Sequence, residues 1–116
     1  MSKKVVGFEP LTAVAAGKPG PLGVEERLKS ERVQEELKTM SGWRLLPGGM
    51  ALHRAREFFL PHEAAKYASY VGELAANQHH RVQLLLFGTK VVVVVYGPKG
   101  VGGITAKLIG FARQLA

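Results

Sequence analysis

The chain has no cysteine and no aspartate. The first absence removes disulfides, thiolate catalysis and cysteine-ligated zinc or iron–sulfur centres, and it fits a reducing compartment. The second leaves nine glutamates as the only acidic side chains. Aromatic residues make up 8% of the chain, a thin supply for a surface on which successive bases would stack. No apolar run approaches the roughly 20 residues of a membrane span. The short run 11–16 follows Glu9 and Pro10, where a secretory signal needs basic residues and a longer apolar core. The expectation is a cytoplasmic protein with no membrane partner.

What is present describes an ordinary folded domain. The 116 residues are enough for one core without disulfides or metal. Hydrophobic content of 47% and charged content of 22% exclude a disordered chain. The net charge of +7 is uneven. Residues 1–40 set seven Lys/Arg against six Glu, an excess of +1, whereas residues 41–116 set nine against three, an excess of +6. The second part should attract an anionic partner, whether acidic protein, nucleic acid or phosphorylated ligand; solubility alone explains the charge equally well.

Residues 1–22 carry Gly7, Pro10, Gly17, Pro19, Gly20 and Pro21 among small side chains, and read as a flexible arm ahead of a domain over residues 23–116. Val24, Leu28, Val33, Leu37 and Met40 recur at helical spacing. Glu25/Lys29, Arg27/Glu31 and Arg32/Glu36 lie four apart on the polar side of that helix, which Ser41-Gly42 should stop. Strands are expected over 43–46 and 50–59, around the turn Pro47-Gly48-Gly49. Leu52, Arg54, Arg56 and Phe58 share one face of the second, which looks partly exposed or at a sheet edge. Pro61 opens a helix to about Asn77, with Ala64, Tyr67, Val71, Leu74 and Gln78 as its stripe. A hairpin over 82–87 and 90–96 turns at Gly88-Thr89. Residues 91–95 are apolar on both faces, so that strand is buried on both sides or offers one face to another subunit. Thr105 caps a last helix with Leu108, Phe111, Ala112 and Leu115 inward. The simplest solution is α+β: a four-stranded antiparallel sheet with three helices on one face.

Gln78-His79-His80-Arg81 is the most specific stretch. An adjacent histidine pair between a helix and a strand, Gly42-Trp43 at the first strand, Phe87 in an aromatic position and Gly103-Ile104-Thr105 at the last helix together resemble the pterin-4a-carbinolamine dehydratase family, over about residues 24–116. That resemblance implies a dimer joined through sheet edges, which suits the apolar strand 90–96. It also implies a dehydratase site in which histidines move protons near neutral pH. Laid on the family pattern, its acidic residue falls on Ala75, its proline on Arg81, its third histidine on Gly97 and its aspartate on Leu108. Glycine cannot move a proton and leucine cannot orient an imidazole. The reading is therefore of a non-enzyme with vestigial His79 and His80, without cofactor or metal. In a structural role, one imidazole enters the old pocket while the other meets solvent or caps the helix.

Within the superfamily, a branch without the catalytic residues resembles the Rubisco assembly factors of α-carboxysomes. This implies a chaperone for Rubisco subunits, an acidic protein partner, with Arg44, Arg54, Arg56, Arg81 and Lys90 as candidate contacts on a basic sheet and Trp43 and Phe58 as apolar anchors. The alternatives are an active dehydratase and a nucleic-acid-binding or transcription-cofactor module. Two weaker signals fail on spacing. Gly97-x4-Gly102 is followed by Gly103 and Ile104, where a phosphate loop needs Lys and Ser/Thr. His53, His62, His79 and His80 lack the spacing of a helical zinc pair.

Overall fold

The computed structural model describes residues 26–115. Its elements are α1 (Ser30–Leu37), β1 (Arg44–Leu45), β2 (Ala51–Glu57), α2 (Pro61–Asn77), β3 (Arg81–Phe87), β4 (Lys90–Tyr96) and α3 (Ala106–Gln114). The four strands form one antiparallel sheet in the order β1-β2-β4-β3. The α+β architecture read from the sequence is the one observed.

Alternation along the strands assigns two faces. Leu52, Val91, Val93 and Val95 join Val33, Val71, Leu108 and Phe111 in the core, so this face carries the helices. The register puts Arg54 beside Val93 and Arg56 beside Val91 on the same face. Arg44 pairs with His53, and Arg81 with Tyr96, on the other.

β4 lies between β2 and β3; Val91, Val93 and Val95 are fully buried on the helix side, Val94 is nearly so on the other face, and Val92 there is half-buried. It is not the edge strand that the subunit argument needed; that edge is β3. β2 is also interior at its start, because β1 covers Leu52 and His53. β1 ends there, so residues 54–57 of β2 have no strand on that side among the described residues. The partly exposed character of the second strand belongs to that half alone.

α1 is shorter than its periodicity suggested. Leu28 N–H donates to the carbonyl of Ile104 at 2.8 Å, and Arg27 bridges to Thr105, so this stretch is held extended against the last loop. Of the two charge pairs within the described residues, Arg32–Glu36 forms at 3.0 Å and Arg27 is off the helix; Glu25 is outside the described residues, as are Val24 and the arm 1–22. Gly42 at φ 82° completes the exit toward β1. At α2, Pro61 occupies the first turn and Glu63 accepts the Leu60 N–H at 3.4 Å. Thr105 is buried, and its hydroxyl accepts the Leu108 N–H at 3.1 Å. The four inward residues read for α3 are all buried.

Candidate functional site

The histidine pair sits where α2 hands over to β3. His79 has φ 61°, a left-handed conformation that glycine usually takes at the end of a helix. Its N–H donates to Ala76 O at 3.3 Å, and the His80 N–H donates to Ala75 O at 2.8 Å. These two bonds close the C-terminal turn described by the 6→1 and 5→2 pattern, and satisfy carbonyls that would otherwise lack partners. The His79 side chain is exposed. His80 points inward and stacks on Phe111 of α3, ring centroids 4.4 Å apart and 29° between planes. One imidazole meets solvent while the other enters the fold. Of the two roles the sequence left open for the outer histidine, solvent exposure and closing the helix, His79 fills both.

The positions around the pair are filled or closed. Ala75 and Leu108 are completely buried in the core. Gly97 follows β4 with its N–H on the Met50 carbonyl at 2.8 Å. A Cβ at position 97 would stand 2.1 Å from the Gly103 carbonyl oxygen and 2.9 Å from its carbon. No side chain has room there. Arg81, next to the pair, donates from Nη1 to Gly97 O at 3.1 Å and lies 5.6 Å from the Tyr96 ring centroid. Among the described residues no three His, Cys, Asp or Glu side chains gather into a metal-binding group.

The candidate partner contacts divide between the two faces. Arg44 and Lys90 are exposed on the helix-free side with Arg81. On the helix side, Arg54 Nη2 donates to Tyr67 Oη at 2.6 Å while its guanidinium lies 4.9 Å from the centroid of the buried Trp43. Arg56 lies 4.9 Å from the rings of both Phe58 and Tyr67. The basic residues therefore do not line one sheet surface. Alternation placed Arg54 and Arg56 together, but it could not say that this was the face the helices cover.

Two cavities are lined by other parts of the fold. One, about 280 Å³, opens between Arg27, Ser30, Leu45, Gly49 and Gly102. The other, about 200 Å³, lies among Met40, Trp43, Arg54, Arg113 and Leu115. Neither is lined by His79 or His80. At the rim of the second, Arg113 Nη2 reaches Glu36 Oε1 at 2.6 Å and Thr39 Oγ1 at 2.8 Å. Hydrogen bonds from Arg113 and then Arg32 hold the Glu36 carboxyl below the usual carboxylate range.

Residues 26–116 match the family described as pterin 4 alpha carbinolamine dehydratase. The chain belongs to that family. Its structure is similar to the crystal structure of a transcriptional coactivator/pterin dehydratase from Brucella melitensis, with a TM-score of 0.70 and 22% sequence identity, over 78% of this chain and 95% of that one. At that identity the likeness speaks for the pterin dehydratase-like fold. No curated protein matches the chain. Among the described residues no helix is long and apolar enough to cross a membrane.

Proposed function

We propose that this family member works by binding a protein partner and not by dehydration. The observation that carries the reading is position 97. Dehydration of a hydroxylated pterin needs acid–base groups disposed around the heterocycle. Where the family pattern has its third histidine, the backbone of Gly103 occupies the space of even a Cβ. Ala75 and Leu108, at the two acidic positions, are core residues. His80 remains, and its stack on Phe111 gives it a packing role.

The excess of +6 over residues 41–116 favours an acidic partner. The resemblance to the α-carboxysome assembly factors narrows that partner to Rubisco subunits, with the chain as a homodimeric chaperone in the cytoplasm or at the carboxysome. The Brucella melitensis protein is described as coactivator and dehydratase together, so this fold is credited elsewhere with a role besides dehydration.

The reading is tested by following the absorbance of a 4a-carbinolamine pterin with the purified protein. Decay at the buffer rate is expected; acceleration that disappears in His80→Ala would overturn the proposal. Co-expression with the Rubisco subunits should raise the yield of soluble assembled enzyme. An unchanged yield would reject Rubisco as the partner.

A further inference from the structure

We infer that the guanidinium of Arg56 is a preformed seat for a carboxylate on an acidic segment of the partner protein. The inference rests on the binding reading above and deepens it by naming where the partner is gripped. Arg56 is held against Phe58 and Tyr67, whose ring centroids are 5.1 Å apart. It is partly buried, yet it makes no hydrogen bond or ion pair with any described residue. The ring faces offset part of the cost of withdrawing the charge from water. Its nitrogens still reach solvent, so the five N–H donors are available to an acceptor on a partner. A planar fork fixed in this way takes a carboxylate through two parallel, charge-assisted bonds, with little conformational freedom left to lose.

The surroundings favour a protein over a nucleic acid. Phe59 is 89% exposed and Leu60 40% exposed, directly after Phe58. Glu57 and Glu63 flank them; a segment with spaced acidic side chains can seat one carboxylate on Arg56 and turn apolar neighbours to these glutamates, which a phosphate backbone charged at every step cannot do. An acidic side chain with apolar neighbours meets Arg56 and Phe59 together, while the positive charge of the domain draws it in. β2 outruns β1 at this point, and among the described residues no strand lies beside residues 55–57 on the side away from β4, where an extended segment can pair.

The test uses the full chain and a fluorescently labelled peptide of alternating glutamate and leucine, read by anisotropy at low salt. Arg56→Gln should weaken binding roughly tenfold or more. Arg56→Lys, which keeps the charge and the fold but loses the fork, should weaken it as well. Lys99→Gln with Lys107→Gln, two exposed lysines outside the sheet, should change it less than about twofold. Loss in that double variant with Arg56→Lys unaffected overturns the Arg56 seat and leaves protein binding standing. Absence of peptide binding by the unaltered chain also overturns the seat, and the Rubisco yield then judges the wider reading separately. A short duplex oligonucleotide that binds more tightly than the peptide, and loses affinity in Arg56→Gln, would give the seat to nucleic acid and overturn the protein partner.

Discussion

The imidazole of His80 lies flat against Phe111, joining the start of β3 to α3 at a centroid distance of 4.4 Å. Such a ring contact contributes about 0.5–1.5 kcal/mol beyond the area it buries. His80→Ala should lower unfolding stability by about 1–2 kcal/mol in urea titration. His80→Phe, which keeps a ring, should recover most of the loss. Recovery by a side chain without a titratable nitrogen would show that packing is the role of this residue.

His79 makes a different prediction, because its backbone is left-handed. His79→Gly should be neutral or gain up to about 1 kcal/mol, since glycine takes this conformation without steric cost. His79→Val should lose about 1 kcal/mol or more, a β-branched residue being worst suited to it. Thermal unfolding of both variants gives the comparison.

Gly97→Ala adds one methyl group against backbone, not against a side chain that could swing aside. A loss of about 2 kcal/mol or more is expected. Faster amide exchange over residues 97–103 should accompany it, as the loop yields before β4 does.

Thr105 caps α3 from a buried position and its neighbours tie residues 27 and 28 to the domain. Thr105→Ala should cost about 1–2 kcal/mol, and Thr105→Ser much less. Chemical denaturation measures both.

Glu36 supplies a pH dependence. Its folded-state pKa is lowered, chiefly by the hydrogen bond from Arg113. The associated stability is therefore present above the ordinary glutamate range and is lost as pH falls through the lowered value. Arg113→Gln should raise the Glu36 pKa toward its ordinary value, as followed by NMR titration of the carboxyl carbon. Because the carboxylate is open to solvent, salt should shrink the effect.

Most of the element order was legible because local signals agreed with the fold. Pro61 at the helix start, Gly88-Thr89 between alternating runs and Thr105 ahead of an apolar stripe each mark a boundary by backbone chemistry. What stayed hidden was set by distant partners. Residues 26–29 continue a helical pattern, yet the carbonyl of Ile104 takes the Leu28 N–H and holds them extended. The run 91–95 left open burial on both faces or one face offered to another subunit, and did not say that β2 and β3 would be the neighbours. Spacing gave Gly97 as the residue after β4; only the fold revealed the Gly103 carbonyl pressed against it. The family resemblance made the histidine pair stand out. Closing the helix was among the roles open to one of the pair, and His79 takes it; the stack of His80 on Phe111 depends on a distant helix that spacing does not reveal.

The close approach of Gly97 and Gly103 also limits how this loop can vary. Any side chain at position 97 requires the loop first to lift its own backbone away. Each drift toward a bulkier residue there is opposed by folding itself. The contact thus acts as a ratchet, holding position 97 to glycine for as long as residues 97–103 keep this path.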